Sequence, residues 1–289
     1  MASLKEIKSR IQSVSSTCKI TSAMKMVSSA KLRKSQRVIE NFLPYSNKLN
    51  TLLSNFLSAD ADLLSPLAAV RKTERVAIVV ISSNSSLCGA FNSNVIRLLN
   101  HTVAEYKGLT KENIFIYPVG RKVTAAVRKA GYTPKIDNEA LAEKPAYNTV
   151  AAIAEELMRD FLDEKIDRVE LIFHHFKSRS SQILQRETFL PFLLQPCKKT
   201  SEKELYYLIE PDRESVVNEL IPKVIKLKLY AALLDSNASE HAARTIAMQI
   251  ATDNANDLMQ ELKMQYNKSR QQAITSELLD ITGATFGVQ

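Results

Sequence analysis

The first candidate for a chemically active site in this chain is a polar loop, Ser82–Asn92, which reads SSNSSLCGAFN. The loop follows a β-branched run and precedes a helical pattern, a position where backbone amides can hold an anion. It contains one glycine and no lysine, so it matches neither of the phosphate-binding motifs GxxxxGK[ST] and GxGxxG. We therefore predict a hydroxyl-rich turn between a strand and a helix in preference to a nucleotide site.

The cysteines and histidines offer little reactive chemistry. Cys88 stands at the predicted helix start without an identifiable base partner, which favours a buried structural thiol. His174 and His175 are adjacent in a predicted strand, so their side chains point to opposite faces and are poorly placed to share one metal ion. The other cysteines, Cys18 and Cys197, form no CxxC, which favours a reducing compartment over a metal site. With no carboxylate pair or triad to suggest catalysis, we predict no catalytic residue, cofactor or metal.

Two kinds of element must position these residues, and the middle of the chain holds strands that alternate with helices. The run Val76–Ile81 is typical of a buried parallel strand. The further predicted strands are Ile114–Tyr117, Val169–Phe173, Ile183–Leu193 and Leu205–Ile209, the last two antiparallel or at an edge. The predicted helices are Asn92–Tyr106, Arg121–Lys129 and Thr149–Leu162. This alternation predicts a small Rossmann-like α/β domain over residues 75–210.

The N-terminal stretch is predicted to be one long helix over residues 1–58. Glycine is absent from residues 1–88 and proline from residues 1–43, and Ser3 with Glu6 forms a capping box. Apolar residues then follow steps of three and four, as in a coiled coil. These residues are Leu4, Ile7, Ile11, Val14 and Cys18. We expect the seam to slip at this point and to resume as Ile20, Met24 and Val27.

The C-terminal stretch is predicted to be a second long helix over residues 212–284. Glycine is absent from residues 132–282 and proline from residues 223–289. Asp212 is the expected N-cap, with Pro222 either kinking the first turns or marking the start. The expected seam residues are Leu220, Val224, Leu227, Ala231, Leu234 and Ala238, then Ala251, Ala255, Leu258 and Leu262. Two long helices at the two chain ends pack most simply as an antiparallel coiled coil.

The positive charge of the chain is concentrated in the first helix. The net charge is +8, and residues 1–37 alone hold nine basic residues against one acid. Such a segment can face nucleic acid, an anionic membrane, a transit-peptide receptor or an acidic protein surface, or it can be a solvated helix face. A nucleic-acid-binding coiled coil is the alternative function that this charge suggests, but aromatic residues are not interleaved with the basic ones. No apolar window is long enough for a transmembrane helix.

Several long motifs resemble the gamma subunit of F-type ATP synthases. At the N-terminus these are Ser3–Ile11 and Lys19–Val27, and in the middle Leu87–Asn92. At the C-terminus they are Ser239–Arg244, Ala251–Ala255, Tyr266–Gln271 and Ile274–Leu278. The chain departs from the family pattern at Asn84-Ser85-Ser86, where an Asp and a Gly usually precede Leu-Cys-Gly, and in a C-terminal Gly-Ala motif one residue earlier than usual. The resemblance spans the whole chain.

This resemblance implies a central-stalk rotor subunit of a proton-translocating ATP synthase, which is itself non-catalytic. The implied partners are the alpha and beta subunits of the catalytic hexamer, the epsilon subunit and the membrane c-ring, without nucleic acid and without direct membrane insertion. The implied location is peripheral, on the cytoplasmic face of a bacterial inner membrane. The family's contact with a beta subunit maps onto Arg270, Gln271 and Thr275, and Met24 and Lys25 are expected where the first helix passes the same region.

Overall fold

A four-stranded sheet of order β2-β1-β3-β4 lies at the centre of the fold. The computed structural model describes residues 3–59, 65–192, 210 and 212–286. The strands are β1 (Val76–Ile81), β2 (Ile114–Val119), β3 (Arg168–Phe176) and β4 (Gln182–Leu190). β1 pairs parallel with both β2 and β3, and β4 pairs antiparallel with β3. The four predicted strands are therefore confirmed, except that β4 ends at Leu190 and not at Leu193. Leu193, Cys197 and the predicted strand Leu205–Ile209 lie outside the described residues.

The sheet is covered on both faces, which explains why β1 reads as an uninterrupted apolar run. All six β1 residues are buried, and they alternate between two apolar clusters. Val76, Ile78 and Val80 pack with helices α2 (Phe91–Glu105) and α3 (Arg121–Lys129). The intervening residues pack with helix α5 (Tyr147–Leu162) and with the first third of the C-terminal helix. A short helix, α4 (Glu139–Glu143), is too brief for its periodicity to be read from the sequence.

The two terminal helices are α1 (Leu4–Ala59) and α6 (Arg213–Phe286). Ser3 Oγ accepts a hydrogen bond from the Glu6 amide, and Asp212 Oδ1 accepts one from the Ser215 amide, so that each predicted cap is made. α6 includes Pro222, so this proline does not mark the helix start. No helix among these described elements has the length and hydropathy needed to cross a membrane.

The chain divides into two compact units. The helix-pair unit consists of residues 1–29 and 244–289, and the central unit consists of residues 30–243. The central unit contains the sheet and its covering helices. Within it, α1 and α6 already run antiparallel, because Ser35 bonds Asn237 and the Phe42 ring packs edge-on to Tyr230.

Candidate functional site

The helix-pair unit is held together by hydrogen bonds between polar side chains. Cys18 Sγ lies 3.2 Å from Asn256 Oδ1, and the hydroxyls of Thr21 and Thr252 lie 2.8 Å apart. Lys25 Nζ donates to Gln249 Oε1 at 2.7 Å. As the residue number rises along α1, the partner's number falls along α6, so the two helices are antiparallel. The predicted antiparallel coiled coil is confirmed in this unit.

The seam of α1 does not slip after Cys18, and that prediction was wrong. The buried or half-buried positions continue at the same steps of three and four, through Thr21, Lys25, Ser28 and Leu32. Thr21 and Ser28 are buried although both are polar. The expected continuation followed apolar residues, whereas the helix geometry follows the unbroken heptad spacing. The clue available in the sequence was therefore the period itself, carried past Cys18 by polar residue types.

Two of the three apolar residues assigned to the shifted seam lie on the outside of the helix pair. Ile20 is 60% exposed and Val27 is 57% exposed, while Met24 is half-buried. In α6 the expected seam residue Leu258 is likewise exposed, and the buried positions described beyond Thr245 are Met248, Thr252, Ala255 and Leu262. The helix pair thus buries polar groups in part of its seam and presents apolar side chains outward. Exposed apolar surface of this kind is typical of a binding face for another protein.

The C-terminal end of α6 presents more side chains to solvent. Every described side chain from Gln271 to Ile281 is exposed, and this stretch includes the apolar residues Ile274, Leu278 and Ile281. Arg270, Gln271 and Thr275 are all exposed, and the Thr275 hydroxyl donates to the backbone carbonyl of Gln271. The guanidinium and the amide therefore face outward on a helix surface rich in apolar groups.

The structure does not bring the five expected contact residues into one cluster. Lys25 bonds Gln249, which precedes Arg270 by 21 residues in α6. At 1.5 Å per residue that spacing is roughly 30 Å along the helix. Met24 and Lys25 therefore form a separate group from Arg270, Gln271 and Thr275.

The polar loop after β1 forms hydrogen bonds within itself and with the start of α3. Asn92 Oδ1 accepts from the Ser83 amide at 3.1 Å, and Asn84 Oδ1 accepts from the Arg121 amide at 2.9 Å. Ser82 Oγ accepts from the Val123 amide at 3.1 Å. The Cys88 thiol is buried and lies 3.1 Å from Asn92 Nδ2. These contacts fit the predicted hydroxyl-rich turn and the predicted structural thiol.

The carboxyl end of β3 lies at the edge where open α/β sheets bind ligands, and it is packed against the terminal helices in the central unit. The Ser239 hydroxyl of α6 donates to the backbone carbonyl of His174 at 3.2 Å. Phe176, the last residue of β3, packs against the cluster of Leu32, Ala238 and Ala242. The terminal helices therefore cover this strand end.

His174 and His175 lie on opposite faces of β3, as predicted. The His174 ring is buried and stacks on Phe91 with centroids 4.3 Å apart, and burial lowers its pKa to about 4. His175 Nδ1 lies 2.6 Å from Asp235 Oδ2, an aspartate whose own pKa is raised by burial. No group of three His, Cys, Asp or Glu side chains suited to a metal ion occurs in the part of the chain that the structure describes.

The buried imidazole of His174 predicts that acid destabilises the central unit. An unfolded chain takes up this proton near pH 6.5, whereas the native state takes it up only near pH 4. Protonation between these values favours the unfolded chain, so the free energy of unfolding should fall as the pH is lowered, by about 3 kcal/mol at most. Urea unfolding of the full-length chain from pH 7 to pH 4 would measure this fall.

The matched variant for that experiment is His174→Phe, which keeps an aromatic ring against Phe91 and removes the titrating group. We expect a shallower loss of stability with acid than in the wild-type chain. His101→Gln alters an exposed histidine and should leave the slope unchanged. If the free energy of unfolding fell equally with pH in His174→Phe and in the wild-type chain, the loss of stability could not be attributed to His174.

Comparison with known proteins gives matches along the whole chain. A family model described as ATP synthase matches residues 3–286. The ATP synthase gamma chain of Phocaeicola vulgatus is 58% identical over 287 residues, which cover 99% of each chain. The gamma chain of Bacteroides thetaiotaomicron is 55% identical over 296 aligned positions, again with 99% of each chain covered.

Solved structures share the fold at lower sequence identity. One such structure is a chain of the Euglena gracilis mitochondrial ATP synthase, from its OSCP/F1/c-ring part. It superposes with a TM-score of 0.67 at 22% identity, and the match covers 98% of this chain and 94% of the Euglena chain. A chain from the rotor of the same enzyme gives a TM-score of 0.64 at 23% identity. The match covers 94% of this chain and 98% of the Euglena chain.

Proposed function

The chain belongs to the family of ATP synthase gamma chains, and from this premise we propose that it is the central-stalk rotor subunit of a proton-translocating F-type ATP synthase. In this role the antiparallel helix pair turns inside the ring of alpha and beta subunits while the c-ring drives it from the membrane side. The asymmetry of the rotating helices would force each beta subunit through open and closed states.

The observation that carries the proposal is the set of exposed apolar side chains in the helix-pair unit. Ile20 and Val27 on α1 and Leu278 near the end of α6 are each more than half exposed in the isolated chain. A surface of this kind gains stability when another protein covers it. Apolar contacts are also weakly directional, which suits a shaft that must turn without binding strongly at any one angle.

We propose that the subunit is not itself catalytic. In the loop after β1, the Ser83 amide donates to Asn92 Oδ1, and the Asn84 side chain accepts from the Arg121 amide of α3. Ser239 of α6 donates to the backbone carbonyl of His174 near the end of β3. Nucleotide chemistry would then occur on the beta subunits, with the gamma chain supplying motion alone. No cofactor is part of this proposal.

The proposed partners are the alpha and beta subunits, the epsilon subunit and the c-ring, and the proposed location is peripheral, on the cytoplasmic face of the bacterial inner membrane. Gentle purification of a tagged chain from its host membranes, followed by native mass measurement, tests this assignment. We expect one copy of the chain with three alpha and three beta subunits and with ATP hydrolysis activity. Recovery of the chain alone or bound to nucleic acid would overturn the proposal.

Arg270, Gln271 and Thr275 are the proposed contact with a beta subunit. Arg270 can donate a fork of hydrogen bonds and Gln271 can donate and accept, and both lie on an exposed helix surface. Thr275 adds its methyl group, since its hydroxyl is bonded to the Gln271 carbonyl. Met24 and Lys25 are proposed as a second contact, although the Lys25 ammonium already bonds Gln249.

The double variant Arg270→Ala with Gln271→Ala should reduce coupling. A hydrogen bond to a charged group contributes about 1.5–3 kcal/mol, so we expect ATP-driven proton pumping by membrane vesicles to fall about tenfold or more per ATP hydrolysed. Folding of the chain should be unaffected because both side chains are exposed. A dye that reports vesicle acidification, measured beside phosphate release, gives this ratio.

The matched control is Lys263→Ala with Gln265→Ala, which also removes one exposed cation and one exposed amide from α6. This control should pump normally. Normal pumping by the Arg270 and Gln271 variant, or an equal loss in both variants, would count against the proposed contact.

A further inference from the structure

Three successive seam positions of α1 after Cys18 are polar. They are Thr21, Lys25 and Ser28, and two of them, Thr21 and Ser28, are buried. On the opposite helix Thr252 is also buried. Buried polar pairs stabilise a helix pair less than apolar pairs of the same size do. The stability of the helix pair therefore does not explain why polar residues occupy these seam positions.

Each polar pair in the stretch is specific to its present partner. The Thr21 and Thr252 hydroxyls lie 2.8 Å apart, and Lys25 donates to Gln249 at 2.7 Å. Gln249 is itself held by Asp253, since its Nε2 donates to both carboxylate oxygens at 2.8 Å. The amide is thus oriented from both sides and joins a cation on α1 to an anion on α6.

Sliding the helices by one heptad would break these pairs. In one direction the residue opposite Thr21 becomes Met259, seven positions beyond Thr252. In the other direction the residue opposite Lys25 becomes Ala242, seven positions before Gln249. Either shift therefore loses a hydrogen bond between the helices. The Thr21 and Thr252 hydroxyls would keep only the Cys18 and Met248 carbonyls of their own helices, and Lys25 opposite Ala242 would lose the Gln249 amide. A wholly apolar seam would re-pack after the same shift at much lower cost.

We propose that the pairs Cys18–Asn256, Thr21–Thr252 and Lys25–Gln249 fix the axial register of α1 against α6. Single polar residues in coiled-coil seams are known to specify register at some cost in stability. Here three such pairs stand in consecutive layers. If the chain is the rotor proposed above, the lock has a mechanical use, because torsion on a two-helix shaft drives its helices to slide past each other.

The native thiol of Cys18 provides the probe of register. In a background with Cys88→Ala and Cys197→Ser, Asn256→Cys places a second thiol opposite Cys18. A disulfide requires Cα atoms about 4.4–6.8 Å apart, whereas a heptad shift moves the helices by roughly 10 Å. A second variant in the same background carries Lys263→Cys in place of Asn256→Cys. Residue 263 lies seven positions further along α6, so a disulfide from Cys18 to this position reports one shifted register. Both are made in the full-length chain and oxidised under mild conditions.

We expect the 18–256 disulfide to form nearly completely and the 18–263 disulfide to stay below about a tenth of that yield. The test variant combines Thr21→Val, Thr252→Val, Lys25→Leu and Gln249→Leu, which replaces two of the three polar pairs by apolar residues. In this variant the 18–256 yield should fall by at least about half, and the 18–263 yield should rise about fivefold where the helices slide in that direction. The smaller variant Thr21→Val with Thr252→Val should show the same trend more weakly.

Thermal unfolding followed by circular dichroism shows that each variant is folded, and we expect the apolar variants to be at least as stable as the wild type. The matched control, Ile11→Leu with Leu262→Ile, alters apolar seam positions without changing polarity and should keep the native disulfide. An unchanged cross-linking pattern in the folded apolar variants would overturn the register proposal. Because the readout uses the chain by itself, such a failure is distinct from a failure of the rotor assignment, which the subunit composition of the complex tests.

Discussion

Replacing Gly120 by Ala is expected to destabilise the central unit by about 4 kcal/mol or more. Gly120 joins β2 to α3 with φ at +102°, a conformation that residues with a Cβ rarely adopt. A Cβ at this position would lie 2.4 Å from the Ser82 carbonyl oxygen and 2.8 Å from Ser82 Oγ. Strain and steric overlap therefore act together.

The Ser82 backbone has no room to move away. Its amide donates to the Val119 carbonyl at 2.8 Å, and its hydroxyl accepts from the Val123 amide at 3.1 Å. Any shift that relieves the overlap must break one of these bonds. We expect the melting temperature of the full-length chain to fall by about 10 °C or more, at 2–4 °C for each kcal/mol in a unit of this size.

Gly108→Ala is the matched control for this experiment. No atom lies within 4 Å of a Cβ built at Gly108, and its φ lies outside the glycine-favouring range. This change should be neutral or should stabilise by a few tenths of a kcal/mol through the unfolded chain. Equal melting temperatures for the two variants would contradict the steric argument.

Glu170→Gln is expected to cost about 2–4 kcal/mol of unfolding free energy. Glu170 lies on β3, and its side chain is almost fully buried. Its carboxylate accepts two hydrogen bonds from Arg186 on β4, at 2.7 Å and 2.9 Å, and one from the Tyr106 hydroxyl. Arg168 Nε lies 3.2 Å from the same carboxylate. Removing the negative charge leaves two guanidinium groups without their buried partner.

The hydrogen bonds of this network shift the pKa values of the groups that surround Glu170. Burial and the hydrogen bond to Glu170 raise the pKa of Tyr106 to about 12, and the hydrogen bonds to Glu170 and Glu105 raise the pKa of Arg186. The side chain of Arg186 is one-quarter exposed and also pairs with Glu105. The Arg186 charge therefore keeps one partner when Glu170 is changed. For this reason the expected cost of about 2–4 kcal/mol is smaller than the roughly 3–5 kcal/mol of a fully broken buried pair.

Two further variants separate the contributions in thermal unfolding of the full-length chain. Glu105→Gln removes the exposed partner of the same Arg186 and should change the melting temperature little. Glu170→Leu with Arg186→Leu removes both partners and should be less destabilising than the two single changes together. Additive losses in the double variant would show that the two side chains do not act as a pair.

The sequence by itself determined the elements and their order. The absence of glycine and proline, the caps at Ser3 and Asp212, and the seam from Leu4 to Cys18 predicted the two terminal helices, because local backbone preferences and heptad spacing act within a few turns. The run Val76–Ile81 predicted a strand buried on both faces for the same local reason. The motifs at both chain ends were enough to indicate the gamma-subunit family.

Only the tertiary structure decided which face of α1 is inside. Ile20 and Val27 are apolar, so residue type alone placed them in the seam, yet they are exposed, and Thr21 and Ser28 are buried instead. Burial follows the face that meets α6, and that face is fixed by the partner helix and the unbroken period. The network around Glu170 was hidden for a related reason: its members come from α2, β3 and β4 and meet only when the sheet forms. Side chains brought together from distant parts of the chain leave no local pattern, because their pairing is a property of the folded packing.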